Sequence, residues 1–198
     1  MTNTIKDGTG TGNRVKVDID NRIHALAVSK SSEQQGAIDG NTYNINTGTI
    51  TLTDASESGL LYLKNTSEAK RIVISTVGYL IGNSTAGAGD LELTIVKGVT
   101  GGTLVDAASA VAINSNKNLS VSTQLSATAY KGAQGVTLTG GSDMYKSLLA
   151  SAATRYVIAT GDLILGPNDV IGIKITPQTS NTSMGIQVFL SIIEEDHE

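Results

Sequence analysis

Cysteine is absent from this 198-residue sequence, and so is tryptophan. The first absence removes disulfides, thiolate nucleophiles and cysteine-ligated zinc together, and leaves the redox compartment open. Aromatic residues are scarce: one Phe, Phe189, and six Tyr make up 4% of the chain. The core must therefore be aliphatic, and platforms for stacking sugars are few. Charged residues are only 16%, with 14 basic against 18 acidic and a net charge of −4. The cations are scattered singly, so nothing resembles a basic stripe that neutralises a phosphate backbone, and no direct nucleic-acid partner is expected. No apolar run approaches the roughly 20 residues that span a bilayer. The opening "MTNTIKDGTGT" has no apolar h-region of the kind a signal peptide needs. A chain soluble as made, with no membrane partner, is the expectation.

What is abundant is Gly, at 22 residues, together with Thr, Ser and Asn. A chain of this length is enough for one domain, or one domain plus an arm, burying about 70% of the surface its unfolded form exposes. Apolar residues recur with period 2, the pattern of half-buried strands. "TITLT" sets Ile50 and Leu52 on one face. "DLELTIVKG" sets Leu91, Leu93 and Ile95 against Glu92, Thr94 and Val96. "DVIGIKITP" does the same with Ile171, Ile173 and Ile175, and "GIQVFLSIIE" with Ile186, Val188, Leu190 and Ile192. Further strands are predicted over 14–19, 23–29, 60–64, 71–81, 110–113, 119–122, 136–139 and 156–165. The stretches between them are rich in residues that accept tight turns. The two prolines agree: Pro167 starts the turn "GPND" and Pro177 ends a strand, where neither removes a ladder donor. Strands at this spacing predict an all-β sandwich or barrel.

Two segments fall outside that pattern. "SSEQQGAIDGN", 31–41, reads as a linker or loop dividing an N-terminal arm with a short β-hairpin, residues 1–40, from a β domain, residues 41–198. Residues 142–153, "SDMYKSLLASAA", admit two readings: a short helix capped by Ser142 and carrying Met144, Leu148 and Leu149, or an irregular edge strand.

Chemistry-bearing motifs are weak. The glycines at Gly8, Gly10 and Gly12 lack the lysine and the spacing of a phosphate loop, and "RVKVDI" after them alternates as a strand rather than opening a helix. Asp18, Asp20 and Asn21 begin like a calcium loop, but Ile23 and Ser29 stand where the glycine and glutamate belong. The segment reads instead as a hairpin turn. His24 and His197 are the only histidines, and neither has a nucleophile-elbow motif to serve. His197 belongs to "EEDHE", which reads as a solvated acidic tail. The sequons at Asn65, Asn83, Asn118 and Asn181 read as chance products of Asn, Ser and Thr abundance. No enzyme activity, cofactor or metal is expected.

Three stretches carry a family resemblance. "KDGTGTGNRVKVDIDNRIHALAVSKSSEQQ" is similar to the N-terminus of tailed-bacteriophage virion proteins, in which a D-G-T-G run precedes K-V-D-x-x-N-R. The body from "NTYNINTGTITLT" to "DAASAVAIN" resembles structural proteins of marine phages. The ending "ILGPNDVIGIKITPQTSNTSMGIQVFLSII" resembles the last hairpin of jelly-roll virion domains. The resemblance implies a jelly-roll-like antiparallel β-sandwich with an extended N-terminal arm. It implies a non-enzymatic capsid decoration, or cement, protein on the virion surface, made in the bacterial host's cytoplasm. The implied partners are the major capsid protein and further copies of the chain, often as a trimer. A head- or tail-fibre module that binds host glycans is the alternative. The arm, Met1 to about Gln35, would be the attachment element, with Lys6, Asp7, Gly8, Gly10, Gly12, Arg14, Lys16 and Arg22 as its contact residues.

Overall fold

A computed structural model describes residues 31–82, 91–105, 113–114, 124–149, 154–178 and 183–197. The chain divides into units Met1–Ser31 and Ser32–Glu198, and all the elements described belong to the second. They are one helix, α1 (Ser32–Asp39), and eleven strands: β1 (Thr42–Asn46), β2 (Ile50–Leu52), β3 (Ser58–Asn65), β4 (Lys70–Ile81), β5 (Leu91–Lys97), β6 (Ile113–Asn114), β7 (Ala127–Lys131), β8 (Ser142–Leu149), β9 (Thr154–Leu165), β10 (Val170–Pro177) and β11 (Met184–Asp196).

The strands form two antiparallel sheets. One runs β6-β1-β11-β4-β9, with β2 also on β11; the other runs β7-β3-β10-β5-β8. Leaving aside β6 and β7, the pairings are nested: β1 and β2 with β11, β3 with β10, β4 with β9, β5 with β8. Successive pairs alternate between the sheets. The nested strands of the second unit are thus one long hairpin wrapped around a core, which is the jelly-roll form of the β-sandwich. β1 and β2 act as a single interrupted strand. At the break, the Thr47 N–H donates to the Val188 carbonyl (3.0 Å) and Thr47 Oγ1 accepts from the Val188 N–H (3.0 Å).

The alternating residues expected to face inward do so. Ile50, Leu52, Leu91, Leu93, Ile95, Ile171, Ile173, Ile175, Ile186, Val188, Leu190 and Ile192 all lie in the core between the sheets. On β5 the other face is also covered, because Val96 joins a second apolar cluster with Tyr62, Val99, Leu104 and Leu138. This cluster sits outside the second sheet, where the long connection from β5 to β8 folds back over it. The Tyr62 and Tyr130 rings stack there at 5.6 Å. Gly172 permits the close approach: a Cβ on it would stand 2.7 Å from Leu138 Cδ1 and 2.9 Å from Val99 Cγ2.

Two sequence expectations change and one left open is decided. The segment read as a linker contains α1, which closes in a Schellman motif. Asn41 N–H donates to the Gly36 carbonyl (2.7 Å), Gly40 N–H to that of Ala37 (3.4 Å), and Gly40 holds φ 80°. Gly36 sits against the Thr42 and Ile193 methyls, so the helix packs on the sandwich. Of the two readings for 142–153, Ser142–Leu149 is a strand at the edge of its sheet. Finally, 136–139 is no strand. Thr139 makes only a lone bridge to Gly101, because these residues cap the outer cluster instead of joining a ladder. Strands β1 and β7, absent from the predicted set, complete the sheets. The strand predicted over 119–122, the hairpin over 14–29 and most of 110–113 lie outside the described residues.

Two stability outcomes follow from the packing. Gly172→Ala is expected to cost about 2 kcal/mol by overpacking the outer cluster, read as a lower urea midpoint. Tyr79 is fully buried, and its hydroxyl has no hydrogen-bond partner among the described residues. Tyr79→Phe is therefore expected to gain about 1 kcal/mol. A melting temperature below the parent's would show that the hydroxyl is satisfied.

Candidate interaction surfaces

The arm residues Lys6, Asp7, Gly8, Gly10, Gly12, Arg14, Lys16 and Arg22, and His24 with them, lie outside the described residues. His197 is exposed, and its N–H donates to the Ala69 carbonyl (2.8 Å). Among the described residues, no group of three or more His, Asp or Glu is placed to hold a metal ion.

At one end of the sandwich the polar residues knit the chain to itself. Asn65, fully buried at the end of β3, donates through Nδ2 to the carbonyls of Lys70 (2.8 Å), Leu165 (3.1 Å) and Gly166 (3.0 Å). Its Oδ1 accepts from the Ser67 N–H (2.9 Å). One side chain thus fastens β3 to the start of β4 and the end of β9. Beside it Glu194 is only 2% exposed. Its carboxylate accepts from Lys70 Nζ (2.7 Å) and from the Ser126 N–H (3.0 Å). Glu195 pairs with Arg71 at 2.9 Å. The acidic terminus expected to be a solvated tail is, through Asp196, the last part of β11, and Asn65 is a structural hub. Local composition hides both roles, because the partners lie on strands distant in sequence.

The two lateral sides of the sandwich differ. On one, β6 extends the first sheet beyond β1 and β7 extends the second beyond β3. On the other, β9 and β8 end their sheets with no further strand among the described residues. Exposed large apolar side chains gather there. Met144, Tyr145 and Leu148 stand on β8, Val157 and Ile164 on β9, and Leu80 on β4 directly opposite Arg155 of β9. A bulge at Ile95/Val96 turns β8 so that Tyr145 follows the inner row while Asp143 and Lys146 both face outward. Lys146 Nζ lies 3.1 Å from Glu92 Oε1 and 3.1 Å from Asp143 Oδ2. Those hydrogen bonds, Glu92's first, hold its ammonium pKa above the ordinary value. On the first sheet Phe189 lies over Gly78, in the space a Cβ would take, and the Arg155 guanidinium stands 5.2 Å from the ring centroid.

A cleft of about 580 Å³ opens on this side, lined among others by Lys97, Ser142, Met144, Leu163, Ile164 and Asp169. Asp169 Oδ2 is already engaged by the Gly166 N–H (2.9 Å). This bond closes the turn in which Asn168 adopts φ 63°. The cleft lacks the convergent polar groups of a small-molecule site.

Neither a family model nor a curated protein matches the sequence. Among solved structures, a chain of infectious bursal disease virus, Gx strain, is 10% identical with TM-score 0.34, over 91% of this chain and 36% of that one. A chain from the heated full particle of Israeli acute paralysis virus is 14% identical with TM-score 0.33, over 100% of this chain and 87% of that one. The chain thus spans about a third of the length of the first. At TM-scores this low neither likeness carries weight, and the fold class rests on strand order and pairing.

Asn65→Ala is expected to cost on the order of 3 kcal/mol, since one buried and two half-buried carbonyls lose a donor and the Ser67 N–H loses its acceptor at once. Lys70→Met leaves the buried Glu194 carboxylate without its cation, and about 2 kcal/mol is expected because Lys70 is itself partly solvated. Both are read by denaturant unfolding. The Lys70 pKa is held above its ordinary 10.5, first by its hydrogen bond to Glu194. A raised lysine contributes fully below 10.5, and the contribution is lost as pH rises through the raised value. The parent-minus-Lys70→Met difference should therefore stay flat from pH 7 to about 9 and shrink only in alkali.

Proposed function

We propose that this chain is a non-enzymatic structural protein of a bacteriophage virion, a decoration protein that binds the major capsid protein lattice and stabilises the head. The observation that carries the reading is the nested jelly-roll pairing, joined to arm and body sequences similar to tailed-phage virion proteins. Jelly rolls serve viral capsids, lectins and cupins, and fold alone does not choose among them. A cupin-type metal site needs clustered ligands, and the whole sequence holds only His24 and His197. A lectin reading is disfavoured by the 4% aromatic content.

In this role the arm, with Lys6, Asp7, Gly8, Gly10, Gly12, Arg14, Lys16 and Arg22 as its contact residues, attaches to the shell. Its glycines let the backbone lie close on another surface or pair with a sheet edge. The sandwich stands outward on the capsid surface, and the protein is made in the host cytoplasm. Binding only the assembled shell stabilises it by mass action. Several copies joined, as in a trimer, multiply a modest arm contact through effective concentration. No helix among the described residues is long and apolar enough to cross a membrane.

The test mixes purified protein with expanded heads that lack it. Saturable binding at a fixed fraction of capsid subunits, with a raised shell melting temperature, is expected; binding to host cells or glycans without head binding overturns the reading. The truncation that isolates the arm removes residues 1–31 and keeps α1, because Gly36 packs on Thr42 and Ile193. That protein should fold and self-associate but not decorate heads; full occupancy without the arm would refute the attachment role.

A further inference from the structure

The open lateral side carries two apolar faces that point in different directions. Leu148 pairs with Glu92, whose neighbours on β5 in the core row are Leu91 and Leu93, so Leu148 faces out from the second sheet and is 65% exposed. Val157 pairs with Gly78 beneath the Phe189 ring and faces out from the first sheet, 52% exposed. Between them, on the edge itself, stand Met144 and Tyr145.

The faces also differ in charge. Around Leu148 are three carboxylates, Glu57, Glu92 and Asp143, against two ammonium groups, Lys146 and Lys174. Beside Val157 stands Arg155, exposed, with no carboxylate partner among the described residues. Among the described residues, one face therefore carries an excess of carboxylates and the other a cation without one.

We propose that this chain self-associates head to tail, the β8 face of one copy seating on the β9 face of the next. A contact of like faces about a two-fold axis would set Arg155 against its own copy and the carboxylate cluster against itself. A contact of unlike faces brings Arg155 to Asp143 and Glu92 while Leu148 and Met144 cover Val157 and Leu80, which is opposite Arg155. Charge complementarity selects the second arrangement. Such a contact is heterologous, so it closes into a ring when the rotation per copy allows. The opposite lateral side, extended by β6 and β7, takes no part. This inference adds the contact surface to the self-association in the proposed function, and it can fail while head binding stands.

The full chain is examined by sedimentation velocity as the parent, as Leu148→Glu and as Val157→Glu, with circular dichroism confirming that each is folded. The parent should be oligomeric and each variant monomeric. An equimolar mixture of the two variants should form a one-to-one dimer, because an intact β9 face then meets an intact β8 face. A monomeric parent, a variant that assembles like the parent, or a mixture that stays monomeric overturns the proposal. Should either glutamate variant fail to fold, the charge pair gives the answer. Arg155→Asp should weaken association about tenfold, and adding Asp143→Arg to the same chain should restore most of it. No weakening, or no recovery, also overturns it. Head binding by the monomeric variants, measured separately, reports on the decoration reading alone.

Discussion

The pairing of the chain's first strands with its last is the constraint on which the rest depends. β11 lies between β1 with β2 on one side and β4 on the other, so without it the first sheet falls into two pieces. The Thr47 and Val188 bonds span 141 residues. Every inner pair of the nested hairpin must be brought near before this outer one is favourable, because loop closure costs entropy until contacts repay it. The buried Glu194 and the Asn65 hub stand at the end where β11 finishes. Glu194 ties the end of β11 to Lys70 and Ser126 where the apolar alternation runs out, and Asn65 ties β3, β4 and β9 together beside it.

The strands that alternate cleanly were readable because one face meets a core and the other does not. Ile171, Ile173 and Ile175 or Ile186, Val188 and Leu190 need no knowledge of neighbours to be placed inward. β8 resisted because its bulge shifts the phase. Asp143 and Lys146 fall three apart on one face, the spacing of a helical ion pair, while Met144 is the extra residue that makes the shift. α1 resisted for the opposite reason. Its helix is short and polar, and the sign of its end, Gly40, also marks a turn.

The proposed contact surface is less legible than the fold. Val96 on β5 and Val157 on β9 look alike in sequence, each an apolar residue on an outward face. The first is covered by Leu138 and its neighbours in the long β5–β8 connection, and the second is left bare. Whether a loop folds back over a sheet is a matter of tertiary packing, and local periodicity does not carry it. Asn65 and Glu194 show the same limit among polar residues, since a sequon and an acidic tail acquire their meaning only from carbonyls and cations on other strands.

The placement of α1 bears on how the domain would carry load. Thr42, just after the helix, pairs with Ile193, three residues from the end of β11, so the entry and exit of the sandwich lie side by side on antiparallel neighbours. A pull between Ser31 and Asp196 would meet their hydrogen bonds one at a time, from Thr42 inward, like a zipper. A pull on the entry point against the opposite end of β11, at Met184, would instead run along the strands and load the β1–β11 ladder in shear. A domain built this way yields readily along one axis and resists along another, so its mechanical strength depends on the direction from which it is held.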